Sequence, residues 1–149
     1  MKRGCLLTDS SCSNESLILY KMNCLNKQIS SKFESCMGIS QSRHDILYQL
    51  YQVDEMSQTA LQKEVKIDGA AITRHLKQLE ALGMIVRRKD PDDNRFTLVS
   101  LSAHGREQII ASQAEKARFV TSMLKDFNEK ERKELTDMLI RIQQNISEV

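Results

Sequence analysis

The side chains best suited to chemistry in this chain are cations and small hydrogen-bonding groups gathered near its middle. Thr73, Arg74, His75, Lys77 and Gln78 follow closely on Gly69, Ala70 and Ala71, and Arg87, Arg88, Lys89 and Arg95 come next. Arginine presents a planar fork that matches the guanine edge, Thr and Ala suit the thymine methyl, and any of the cations can neutralise phosphate. The chemistry this set can do is recognition of a polyanion, not bond making. No Gly-rich phosphate loop, no paired carboxylates with flanking aromatics and no Ser/His/Asp or Cys/His arrangement in a recognisable context accompanies it. Cys5, Cys12, Cys24 and Cys36 form no C-x-x-C pair, and His44, His75 and His104 are scattered away from them, so neither a metal site nor a cofactor is expected. Cys12, Cys24 and Cys36 are twelve residues apart, which turns successive thiols by about 120° on an ideal helix and keeps them off a common face. Cys24 and Cys36 read as buried small apolar residues. Cys5 and Cys12 sit on an N-terminal arm open to oxidants and are the candidates for a redox role.

The rest of the chain must position these groups. Its 149 residues, 40% apolar and 28% charged, suit one domain of ordinary size or a compact domain with an oligomerisation arm. No apolar run approaches the roughly 18–20 residues that span a bilayer, and no membrane partner is expected. The apolar stretch after Lys2 and Arg3 stops at Asp9, short of a signal-peptide core, so the expected location is cytoplasmic. The net charge of +2 is unevenly spread: residues 57–106 carry nine Lys and Arg against six Asp and Glu, while both flanks are close to balance. A single Pro and five Gly disfavour a β-sandwich and make a mostly α-helical fold the expectation.

Ile18, Met22, Leu25, Ile29 and Phe33 recur at helical spacing from Asn14 onward, and Gly38 closes that helix. Ser40 caps a second helix with Ile46, Leu47, Leu50 and Tyr51 inward. Ser57 and Asp68 cap two short helices joined by Lys66 and Ile67, which have the proportions of a helix-turn-helix, and Gly83 ends the second. Residues 84–88 and 96–101 are the only strand-like segments, and the turn residues of Asp90-Pro91-Asp92-Asp93-Asn94 between them make a β-hairpin. Helical periodicity returns after Gly105, and a last helix starts near Asn128 with Glu131 as its capping partner. The fold expected is mostly α with a small β-hairpin: a winged helix-turn-helix over 39–105, between dimerisation helices at 14–38 and 106–149, with residues 1–13 a flexible arm. In that arrangement the second helix of the pair fills a major groove and the wing runs along the backbone toward the neighbouring minor groove.

The chain resembles the MarR family of bacterial transcriptional regulators from about residue 17 to 146. The resemblance is carried by Ser40 to Leu50, by Ile67-Asp68 with Ile72-Thr73-Arg74, and by Leu79-Glu80-Ala81-Leu82-Gly83-Met84-Ile85-Val86-Arg87. It continues through Asp90-Pro91-Asp92-Asp93-Asn94-Arg95 and closes on Val99-Ser100-Leu101-Ser102-Ala103-His104-Gly105. Arg43 stands where the family often has Gln, and Ser102 replaces a common Thr. The resemblance implies a homodimer on palindromic double-stranded promoter DNA, acting as a repressor and released by a small aromatic or phenolic effector. It implies an effector pocket beside the dimerisation helices, for which His44, Leu47 and Tyr51 are candidates. Arg95 would enter the minor groove and Asp93 would brace the wing. The expected DNA-facing set is Ser57, Asp68, Ala70, Ala71, Thr73, Arg74, His75, Lys77, Arg87, Arg88, Lys89, Asp93 and Arg95. The alternative reading is a regulator of this type switched by thiol oxidation at Cys12 or Cys5, although Ser16 occupies the place where peroxide-sensing members carry their cysteine.

Overall fold

Each helix begins where one side chain satisfies backbone N–H groups that have no partner inside the helix. The computed structural model describes residues 13–149, so Cys5 and Cys12 lie outside the described residues. Ser13 caps α1 (Asn14–Met37), Ser40 caps α2 (Gln41–Tyr51), Ser57 caps α3 (Gln58–Val65) and Asp68 caps α4 (Gly69–Ala81). Ser102 caps α5 (Ala103–Met123), while Asn128 and Glu131 satisfy each other's backbone in a capping box at α6 (Glu129–Ser147). Gly38 ends α1 at φ 72°, a left-handed conformation that costs glycine little. Lys66 takes φ 52° in the turn between α3 and α4 without being a glycine.

Three antiparallel strands lie in the order β1-β3-β2: β1 (Met56–Ser57), β2 (Ile85–Lys89) and β3 (Thr97–Leu101). The hairpin of β2 and β3 is the expected wing. The strand β1 is an addition to the sequence reading, pairing Met56 with Val99 and Ser57 with Leu98 just before α3 begins. It anchors the start of the helix-turn-helix to the wing. A second difference is the start of α5, which precedes Gly105 because the Ser102 hydroxyl accepts from the Gly105 N–H at 2.9 Å.

The core joins every element around the helix-turn-helix. Ile46, Leu47 and Leu50 of α2 meet Leu61 of α3, Ile72, Leu76 and Leu79 of α4, Ile85 and Val99 of the sheet, and Ile109 of α5. The α2 face expected from Ile46, Leu47 and Leu50 packs, and so do Ile72, Leu76 and Leu79 of the stripe expected for α4, whereas its fourth member, Leu82, ends the helix and stands exposed. In α1 the stripe is satisfied only at Phe33, whose ring stands edge-on to Phe119 of α5 at 5.9 Å and to His44 of α2 at 5.3 Å. No residue of α6 is buried, and Leu135, Met138, Leu139, Ile140 and Ile146 stand exposed along it. The expected burial of the two central thiols is corrected: Cys24 is half-buried and Cys36 is exposed, because within one chain α1 is covered closely only around Phe33. No helix among the described residues is long and apolar enough to cross a membrane.

One close approach locks the wing to α5. The Ser102 N–H donates to the Met84 carbonyl at 3.0 Å, and its hydroxyl donates to the Gly83 carbonyl. Gly105 lies so near this strap that a Cβ there would sit 1.9 Å from the Met84 carbonyl oxygen. Backbone cannot yield as a flexible side chain can. Gly105→Ala is therefore expected to lower unfolding free energy by about 1–3 kcal/mol, measured by urea denaturation. An unchanged midpoint would show that α5 can shift away from the wing at little cost.

Candidate nucleic-acid interface

Burial of Ile72, Leu76 and Leu79 turns one face of α4 to the core and leaves the other in solvent. Ala70, Thr73, Arg74, Lys77 and Gln78 stand exposed on that outer face, with Ala71 half-buried at its edge. Arg74 and Lys77 make no ion pair among the described residues, so their charge is available to a partner. His75 is only half-buried, and its Nδ1 is shut from solvent without a hydrogen-bond partner among the described residues. Desolvation, then the neighbouring Arg74 and Arg43, hold its pKa below the usual histidine value. At neutral pH His75 thus adds no cation to the surface.

The caps explain two further residues of the expected set. The Asp68 carboxylate accepts from the Ala71 N–H at 2.8 Å and the Ser57 hydroxyl accepts from the Ala60 N–H at 3.2 Å. These bonds aim α4 and α3, and the Ser57 hydroxyl, which only accepts here, keeps its own hydrogen. An aspartate facing phosphate would in any case repel it, so Asp68 acts by holding the start of α4.

At the wing tip, Arg95 grips Asp93 in two parallel bonds: Nε to Oδ1 at 3.0 Å and Nη2 to Oδ2 at 2.7 Å. The Arg95 N–H adds a third bond to Oδ1 at 3.0 Å. These hydrogen bonds keep the Asp93 carboxyl below the usual carboxylate range, so the brace stays charged through neutral pH and loosens only under strong acid. The Arg95 side chain is nonetheless 87% exposed, its guanidinium held through Nε and Nη2.

Arg87 and Arg88 differ from Arg95. Arg87 Nε donates to Glu80 of α4 at 3.1 Å, and Arg88 donates to Glu55 through Nε at 2.9 Å and Nη2 at 2.6 Å. The bond from Arg87 holds Glu80 below the usual carboxylate range. These two arginines tie β2 to the end of α4 and to the segment before β1, whereas the pair of Arg95 with Asp93 stays within the wing tip. Among the described residues, Lys89 reaches only Thr97 Oγ1, at 3.5 Å.

Away from this surface, a cavity of about 190 Å³ opens between the end of α1, α2 and α5, lined among others by Cys36, His44, Leu47, Met84, Ile109 and Ser112. His44 is 1% exposed, its Nε2 lies 3.4 Å from Ser112 Oγ, and its Nδ1 has no hydrogen-bond partner among the described residues, the Asp45 carboxylate being 3.9 Å away. Two of the three expected pocket residues, His44 and Leu47, line it. Tyr51 does not: its ring lies under the Arg106 guanidinium at 5.4 Å, drawn to the cation on the far turn of α2.

Sequence reasoning did not single out Gln58, Glu55 or Ser112. Gln58 Nε2 donates to Thr73 Oγ1 at 3.3 Å, joining α3 to the outer face of α4. Its position directly after the Ser57 cap was the one available signal.

Comparison with known proteins agrees with this geometry. The model of the MarR family matches residues 39–97. The HTH-type transcriptional regulator YdgJ of Bacillus subtilis (strain 168) is 52% identical over 148 residues, spanning 99% of this chain and 90% of the relative. A mutant MarR from E. coli complexed with operator DNA has the same fold, with TM-score 0.78 at 21% identity over 87% of this chain and 96% of that one. So does Bordetella bronchiseptica BpsR, whose DNA binding is regulated by 6-hydroxynicotinic acid, with TM-score 0.76 at 18% identity over 85% and 98% of the two chains. A winged helix with an open cationic face, and majority identity with one HTH-type regulator along nearly the whole length, place the chain in the MarR family of DNA-binding transcriptional regulators, which are not enzymes.

Proposed function

We propose that two copies of this chain form a symmetric dimer that represses transcription by binding palindromic promoter DNA and leaves it when a small aromatic effector binds. The observation that carries the reading is the outward pairing of unmatched Arg74 and Lys77 on α4 with the stiffened, exposed Arg95 at the wing tip. Thr73, Arg74, Ala70 and Ala71 would meet base edges in the major groove, while Lys77 and Lys89 would meet phosphate and Arg95 the narrow minor groove. Asp93, Asp68 and Ser57 brace these elements. Such a regulator works where the chromosomal DNA is, which in a bacterium is the cytoplasm.

Dimerisation is supported by the exposed apolar rows on α1, α5 and α6, among them Leu25, Val120, Met123, Leu135, Met138 and Leu139. A patch of that extent on a monomer marks an interface. The dimerisation regions would then be residues 14–38 and 106–149, flanking the winged domain. The effector reading is supported by the cavity: about 190 Å³ exceeds the roughly 150 Å³ that accepts benzene, and the His44 imidazole offers a polar end to an otherwise mainly apolar wall. An aromatic acid is the class that regulates BpsR. A ligand between α1, α2 and α5 would alter how the winged domain hangs from the dimer helices.

Arg74→Ala and Arg95→Ala are each expected to weaken binding to the protein's own promoter region about ten-fold or more, read by mobility shift, with the thermal melt unchanged. Unaltered affinity in both would overturn the reading. Salt titration separates the cations further. Lys77→Ala should lower the slope of log affinity against log salt by about one, whereas Arg87→Ala, whose charge Glu80 already matches, should change it much less. Equal changes would mean that Arg87 leaves Glu80 for phosphate. Light scattering at micromolar concentration should give twice the chain mass, and Leu139→Glu should give the single-chain mass; a monomeric parent chain would remove the dimer from the account.

A further inference from the structure

We propose that Gln58 and Thr73 act together to read one A·T base pair in the major groove, Gln58 taking the adenine edge and Thr73 the thymine methyl. The inference rests on the DNA-binding reading above and adds which base pair the interface prefers where α3 meets α4. Gln58 is the first residue of α3 and Thr73 lies on the outer face of α4, so the helix-turn-helix brings together two polar side chains fifteen residues apart. Hydrogen-bond accounting decides what each presents. Thr73 Oγ1 donates its single hydrogen to the Gly69 carbonyl at 2.8 Å. The same oxygen then accepts from Gln58 Nε2 at 3.3 Å. An amide turned the other way would set the Gln58 carbonyl oxygen against a hydroxyl with no hydrogen left, so the amide orientation follows from the short bond to Gly69.

With its hydroxyl hydrogen committed to the Gly69 carbonyl one turn back, the exposed Thr73 has no donor for a base and offers its methyl group. Gln58 keeps one N–H and Oε1, neither partnered among the described residues. One donor beside one acceptor is what adenine N7 and the adenine amino group bind, and apolar contact is how threonine meets the thymine methyl. Both groups belong to the same base pair and lie on its major-groove edge. The bond to Thr73 also orders the Gln58 side chain before DNA arrives, which lowers the rotamer entropy lost on binding.

The test uses the full chain and duplexes of its own promoter region carrying single thymine-to-uracil or adenine-to-7-deazaadenine replacements, which remove only the methyl or only N7. For each single replacement the parent chain should lose about four-fold in affinity on uracil at one position, the same in either half-site, and about ten-fold on deazaadenine at the paired base. Thr73→Ser should abolish the uracil loss, Thr73→Val should keep it, and Gln58→Ala should abolish the deazaadenine loss. Because Thr73→Val retains a methyl, its persisting uracil penalty separates lost readout from lost fold. Salt-dependent binding that is indifferent to both replacements at every position would overturn this inference alone, as would a uracil penalty that survives in Thr73→Ser. Absence of salt-dependent binding to any duplex would overturn the DNA-binding reading and this inference with it.

Discussion

The rest of the structure depends on how α4 is seated. Ile72, Leu76 and Leu79 are withdrawn from water completely and meet α2, α3 and the sheet in one core. Each such side chain contributes on the order of 1.5–3 kcal/mol by leaving water, so rotating the helix to present another face would expose all three at once. What α4 shows to the outside is therefore decided from the inside. Its polar side chains need no further constraint to face away from the core, and the Asp68 cap fixes where the helix begins.

The wing answers a different problem, which is to carry cations on a thin hairpin without letting them wander. Its solution divides the arginines. Arg87 and Arg88 spend their charge on Glu80 and Glu55, and so bind β2 to α4 and to the segment ahead of β1. Exposed ion pairs of this kind contribute little stability individually, but they limit the directions in which the hairpin can swing relative to α4. Arg95 is braced by Asp93 and still almost wholly exposed. A cluster that looks uniform in composition is thus two kinds of group, one that orients and one that is presented.

Much of this was legible in the residues. Ser40, Ser57, Asp68 and Asn128 each adjoin an apolar period, and one side chain beside such a run suffices to place a helix start. The stripes of α2 and α4 were readable because their spacing alone fixes a face. The strand β1 was not, since Met56 and Ser57 are too few for alternation and acquire their pairing only from Val99 and Leu98. Nor were the partners of Arg87 and Arg88 readable, lying seven and thirty-three residues away. The exposure of Cys36 and the displacement of Tyr51 from the cavity depend on what packs against α1 and α2, which a single helix pattern does not carry. At the interface, sequence supplied the residue types, while the division into bracing and presented groups came only with the fold.

The central claim is that α4 and the wing tip occupy adjacent grooves of one duplex, once per protomer. Groove-specific methylation interference on the protein's own promoter region tests it most directly, since dimethyl sulfate marks guanine N7 in the major groove and adenine N3 in the minor groove. The account predicts two symmetric blocks of major-groove interference centred about one helical turn, roughly 10–10.5 base pairs, apart, each flanked on its outer side by minor-groove interference. Interference confined to one groove, or a single block without a symmetric mate, would contradict it.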